Sequence, residues 1–287
     1  MALREGELKA KEYGFKSFPI DPFNIAESED IHISAKPSNN LGVSGGIIFN
    51  GDDVGIFYAT NIKNKGFQRF TVGHELGHYF LEGHPEEIQK SAPIHFSRAG
   101  FSQGNNSIEL EADHFSSGLL MPTYLVQNSL VNSAVGLEGI LNLSEESQSS
   151  LTASAIRTAD CCEYPIAIIV SSGEKISYCF LSESFKKLGK LDFLKKGSLL
   201  PQSQTLLFNR NHNKVLSGKK TCGETTLFNW FGGSTCIHLD EEIIGLGSYG
   251  FTLTVLSSDT LPCEPDEEDE EESVLLDSWT PRFARGR

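Results

Sequence analysis

The sequence predicts an α+β protein in two folded parts, and three patterns carry that prediction. Apolar, β-prone runs at 46–49 and 54–58 flank Asn50, Gly51, Asp52 and Asp53. Asn-Gly accepts positive φ at little cost, so the two runs read as a hairpin. From Phe67 onward, Phe70, Val72, His74, Leu76, Gly77, His78, Phe80 and Leu81 describe a helix buried almost all round rather than an alternating strand. Beyond Tyr164 and Pro165, strand-like runs at 166–170, 176–180 and 251–256 bracket Lys-rich connections and predict a second α+β part, with the boundary near 161–165.

The elements follow in order. Residues 10–15 form a short helix, a turn bounded by Pro19 and Pro22 comes next, and a second helix spans 23–27 before an extended segment at 31–33. The hairpin is expected to supply an exposed strand edge. Gly83 is expected to end the buried helix, and a polar Ser/Gly/Asn-rich loop to fill 91–107. A further helix runs through Ile108, Leu110, Ala112, Phe115, Leu119 and Leu120 until Pro122 stops it. Apolar spacing at Val135, Leu137, Ile140, Leu141 and Leu143 suggests one or two short helices around Ser144.

The chain has 287 residues with 39% hydrophobic content, enough for one large or two ordinary cored domains. Its net charge is −14, but in 264–272 every residue except Pro265 is acidic, and setting those eight charges aside leaves −6. The folded body therefore lacks the global basic footprint of a nucleic-acid binder, and the acidic run reads as a solvated, disordered tail. The first 16 residues intersperse charges with single apolar residues, unlike a signal peptide, and no segment is long and apolar enough to span a bilayer. Six cysteines without a CxxC pair read as reduced thiols, and a cytoplasmic location is expected. Cys222, after Lys219 and Lys220, is a candidate for redox sensing or zinc capping, with a plain structural role as the simpler reading.

His74-Glu75-Leu76-Gly77-His78 is an HExxH pattern. A four-residue separation puts both imidazoles on one helix face, where they can hold one cation, and leaves Glu75 beside them to reach a metal-bound water as general base. The same pattern also occurs in structural helices, so a third ligand has to be found. Helix 108–120 offers Glu109 and, one turn on, Asp113, which can accept a hydrogen bond from a ligand histidine and fix its tautomer. Glu111 points elsewhere, toward solvent. His84 is the rival, ten residues after His74, although the glycine that must break the helix is Gly83 and the seventh position is Leu81.

Arg69 through His78, read as RFTVGHELGH, is similar to the RFTxAHELGH signature of ImmA/IrrE-type metallopeptidases, with Gly73 where Ala is commoner. Glu109 through Pro122, ELEADHFSSGLLMP, resembles their ExxANxFAAxLLMP helix, with Asp113 for the usual Asn and Ser116, Ser117 and Gly118 at small-residue positions. Phe18-Pro19-Ile20-Asp21-Pro22, Ile25-Ala26-Glu27 and the hairpin also look like the family's N-terminal layout. The resemblance covers about residues 8–125. It implies a zincin-like, gluzincin-like endopeptidase with His74, His78 and Glu109 on Zn2+ (Mn2+ being an alternative), Glu75 as base and Asp113 behind a ligand. It further implies a protein substrate, a helix-turn-helix repressor cut to relieve repression during stress, DNA damage or phage and mobile-element responses.

Asn229-Trp230-Phe231-Gly232-Gly233 resembles the GAF-like sensor domain of longer relatives, and Thr280-Pro281-Arg282-Phe283 looks like a C-terminal ending seen in some. The implied division is a metallopeptidase domain at 1–125, a helical, helix-turn-helix-like linker at 126–162, an α/β GAF-like domain at 163–260 and the acidic tail at 261–287. The competing expectation is a non-proteolytic sensor, in which the metal fold is structural or vestigial and the C-terminal domain binds a small molecule, nucleic acid or partner. A hybrid would let such a signal gate the protease.

Overall fold

A computed structural model describes residues 1–37, 42–61, 63–91, 94–98, 107–232 and 237–258. The acidic run, Cys236, Cys263, Gly233 and the segment 280–283 lie outside them. The fold is mixed α and β, and contacts divide it into two units. Among the described residues the first holds Met1–Leu125 and Ser144–Ser150, and the second holds Val126–Leu143 and 151–258.

The first unit begins with helices α1 (Ala2–Glu12) and α2 (Pro22–Ser28), the latter capped by the Asp21 carboxylate on Phe23 N at 3.0 Å with Pro22 in its first turn. Strands β1 (His32–Lys36), β2 (Val43–Asn50) and β3 (Asp53–Ala59) precede helix α3 (Lys65–Phe80). Helix α4 (His84–Ser91), strand β4 (Ile94–Arg98) and helix α5 (Ser107–Leu120) complete it. The expected hairpin is present, with Gly51 at φ 66 in the turn between Asn50 and Asp53.

Its edge, however, is not exposed. The sheet order is β1-β3-β2-β4, because β1 pairs in parallel with β3 and β4 pairs antiparallel with β2. Both hairpin strands are central, and among the described residues the outer strands are β1 and β4. Helix α3 stops at Phe80, three residues before Gly83. The segment read as loop contains β4, whose polarity is inverted: Ile94 and Phe96 face solvent while Ser97 is buried and His95 partly so. A hydrophobic-inside rule cannot find such a strand.

The core of this unit gathers Ile20, Ile25, Ile47, Ile56, Val72, Leu76, Phe115 and Leu119 between sheet and helices. Helices α1 and α5 touch backbone to backbone, since a Cβ on Gly118 would lie 2.0 Å from Leu3 O and one on Gly6 2.1 Å from Phe115 O. Arg69 is buried and bonds the carbonyl of Ile20, the carbonyl of Ser147 and the Gln148 side chain, tying α3 to segment 144–150.

Three helices, α6 (Thr123–Val131), α7 (Leu137–Ser147) and α8 (Leu151–Cys161), replace the one or two short ones expected, with Ser144 inside α7. The second unit then carries β5 (Ile166–Ser172), β6 (Lys175–Leu181), short helices α9 (Glu183–Lys186), α10 (Gln204–Arg210) and α11 (His212–Leu216), β7 (Lys220–Thr226), α12 (Leu227–Phe231), β8 (His238–Gly245) and β9 (Thr252–Ser257). The five strands form an antiparallel sheet in the order β6-β5-β9-β8-β7. Ile166, Ile168, Val170, Leu253 and Val255 form one core with Ile140, Ala155 and Ala159. Elsewhere on the sheet, Thr205 of α10 bonds Glu241 and Thr254. Among the described residues no disulfide joins Cys161, Cys162, Cys179 and Cys222, and Cys222 is exposed. No helix among the described residues is long and apolar enough to cross a membrane.

Candidate metal centre

Helix α3 starts where Asn64 Oδ1 accepts from Phe67 N at 3.1 Å, and its buried side faces α5. Small residues set the spacing between the two helices. A Cβ on Gly77 would sit 3.0 Å from Ala112 Cα, and one on Gly73 would sit 2.5 Å from Ser116 Oγ, which donates to Phe70 O at 2.9 Å. This close approach brings the acidic first half of α5 to the histidines of α3. Gly45 of β2 does the same for the sheet, because a Cβ there would meet Thr71 Cγ2 at 2.4 Å and Phe57 O at 2.7 Å.

His74, His78 and Glu109 come together as a group able to hold a metal ion, with donor atoms all within 4.8 Å of one another. The two Nε2 atoms are 3.1 Å apart, His74 Nε2 lies 3.5 Å from Glu109 Oε2, and His78 Nε2 lies 3.3 Å from Glu109 Oε1. Ligands about 2.0–2.1 Å from a tetrahedral zinc stand about 3.3 Å from one another, so this triangle has the dimensions of one coordination face. The donor set, two imidazoles and a carboxylate, suits zinc and leaves a position free for water or substrate. His78 is fully buried and His74 nearly so.

The candidate donor atoms are braced from behind. His74 Nδ1 is 2.8 Å from Asp113 Oδ1, the arrangement expected of a carboxylate that fixes a ligand tautomer. His84 is not with the metal-facing nitrogens. Its Nδ1 lies 3.1 Å from His78 Nδ1, on the far side of that ring. Glu111 is half exposed, with Oε2 3.6 Å from His84 Nε2.

His95 of β4 is the residue that sequence reasoning missed. Its Nε2 approaches Glu109 Oε1 at 2.8 Å without hydrogen-bond alignment, and its ring centroid is 4.7 Å from that of His78. The only signal for it was a histidine inside a stretch read as loop.

Glu75 is fully buried, and among the described residues neither carboxylate oxygen has a well-aligned hydrogen-bond partner, with only a weak pull from Ser97. Burial pushes its pKa up to about 7, against the pull of His74. Burial would lower His74, yet hydrogen bonds to Asp113 and Glu109 hold it up at about 10. Burial takes His78 down to about 4, only partly opposed by Glu109. Burial would raise Glu109, but His74, His78 and His95 hold its carboxyl far below the ordinary range. The charges thus favour an ionised Glu109 next to one charged and one neutral imidazole. A divalent cation can replace the His74 proton.

Residues 26–157 match a peptidase family model described as the IrrE N-terminal-like domain. Among curated proteins none matches the chain. Among solved structures, a Mycobacterium tuberculosis transcriptional regulator is similar with a TM-score of 0.56 and 12% identity, over 90% of this chain and 76% of that one. At that identity the likeness is one of fold.

Proposed function

We propose, from the match of residues 26–157 to the IrrE N-terminal-like peptidase model, that the protein is a zinc endopeptidase that cuts a helix-turn-helix repressor and so relieves repression under stress. A metallopeptidase connected with transcription is the coarser statement that the family carries; the His74, His78 and Glu109 triangle with Glu75 beside it supports the zinc-peptidase chemistry, and the repressor substrate rests on the resemblance.

In this reading His74 and His78 present their Nε2 atoms to the ion and Glu109 neutralises part of its charge. When bound, zinc supplies Lewis-acid chemistry, polarising the scissile carbonyl and acidifying a water. Glu75 takes the proton from the attacking water on a carboxylate oxygen and returns it to the leaving amine. Its pKa of about 7 suits a group that must both accept and donate near neutrality. Asp113 holds His74 in the Nδ1–H tautomer. Because β2 and β3 are both central, an extended substrate would add to the border of β4, next to His95, and not to the hairpin.

We read the chain as a peptidase domain at 1–125, a helical segment at 126–162, a GAF-like sensor domain at 163–260 and an acidic tail at 261–287. The deciding experiment incubates the zinc-loaded chain with purified helix-turn-helix repressors of the same organism. Cleavage that stops with chelator and with Glu75→Gln supports the peptidase; an intact repressor held in a stable complex would favour the sensor reading instead.

A further inference from the structure

We propose that His84 and Glu111 form a relay that positions His78 for the metal, so that His84 is a positioning residue and not a ligand. The inference rests on the metal reading above and extends it to the far side of the second histidine.

His78 can offer Nε2 to a cation only if its ring proton sits on Nδ1, because an imidazole with one proton has one lone pair. That Nδ1–H needs an acceptor, since His78 is fully buried and water cannot serve. The atom 3.1 Å away is His84 Nδ1, itself on a side chain only 3% exposed. To accept, His84 Nδ1 must carry a lone pair, which places the His84 proton on Nε2. There the structure gives independent support: the Glu111 carboxylate lies 3.6 Å from His84 Nε2, beyond hydrogen-bond length but as an anion facing the nitrogen that the metal end requires to be a donor. With the opposite tautomers, a carboxylate would face a lone pair and His78 would turn an N–H toward the cation. Glu111 is in turn held by Ser107, whose hydroxyl donates to Oε1 at 2.7 Å.

The arrangement also follows from the chain path. Helix α3 ends at Phe80, Gly83 turns at φ 86, and α4 starts on His84, so the ring is carried back against the last turn of α3 six residues after His78. The two ligand histidines therefore have different supports. Asp113 accepts directly from His74, whereas His78 reaches its carboxylate through a second imidazole.

The test uses the full chain, with zinc affinity measured by competition against a chelator and ring tautomers read by long-range 1H–15N NMR of the zinc-loaded protein. His84→Leu removes the acceptor and is expected to weaken zinc binding about 10- to 100-fold, the usual effect of losing an outer partner. His84→Asn, whose Oδ1 can replace Nδ1, should recover most of that loss, which a merely space-filling role would not predict. In the wild type, His84 should appear as the Nε2–H tautomer. Wild-type affinity in His84→Leu, or a His84 proton on Nδ1, overturns the relay while leaving the metal site intact. Should His84→Leu fail to fold, the wild-type tautomer decides. If the wild-type chain takes up no zinc, the metal reading itself falls, and the relay with it.

Discussion

Replacing Glu75 by Gln should abolish cleavage and yet make the metal-free protein more stable at neutral and alkaline pH. The carboxyl is fully buried, has no well-aligned hydrogen bond on either oxygen among the described residues, and has its pKa raised from 4.5 to about 7 by that burial. A raised carboxyl pKa means that the folded state holds a proton that the unfolded chain has already lost. Stability from this group is then fully present below pH 4.5 and is lost as pH climbs to about 7. The span corresponds to about 3 kcal/mol, with the opposing attraction of His74 already included. Gln has nearly the same shape and never ionises, so it escapes the loss. Urea unfolding of wild type and variant in chelator, compared from about pH 4.5 to about pH 8, should give near-equal stabilities at the acid end and a variant advantage of about 3 kcal/mol at the alkaline end. A difference that does not change with pH, or a wild type that gains on the variant as pH rises, would refute the argument that Glu75 is stored here at a cost in stability.

Other outcomes follow from the same geometry. Asp113→Ala should weaken zinc binding about 10- to 100-fold by freeing the His74 tautomer, measured by chelator competition. Gly73→Ala should destabilise by about 1–3 kcal/mol because its methyl meets Ser116 Oγ, and adding Ser116→Ala should restore most of that stability; thermal unfolding of the double-mutant cycle reads the coupling. Gly118→Ala has no such remedy, since its methyl would meet the Leu3 backbone, and should cost more in the same assay. The pH profile of cleavage should fall off on the acid side at or below about 7, where Glu75 becomes protonated, and a flat kcat/KM from about pH 5 to about pH 8 would contradict its role as base.

What could be read from the sequence was mostly short-range. His74 and His78 share a face because helical geometry puts i and i+4 together, and the all-round apolar pattern of α3 marks it as buried. Glu109 and Asp113 stood out as acids within an otherwise apolar helix, and the structure brings both to α3. The pairing of Gly73 with Ser116 explains a departure from the usual signature: the hydroxyl fills space that an alanine methyl would take. The misses were non-local. That β1 and β4 cover both sides of the hairpin depends on pairing between segments far apart in the chain. β4 and its His95 were hidden because outward Ile94 and Phe96 reverse the usual polarity, and β7, KTCGETT, has too few apolar residues to resemble a strand. The place of His84 behind His78 depends on the turn at Gly83, which spacing alone cannot supply.

X-ray absorption at the zinc edge of the loaded chain tests the central claim most directly. The account predicts one ion with two imidazole nitrogens and carboxylate or water oxygens at about 2.0–2.1 Å, and loss of that signal in Glu109→Ala. A third imidazole bound to the ion, a sulfur at about 2.3 Å, or an unchanged spectrum in Glu109→Ala would contradict it.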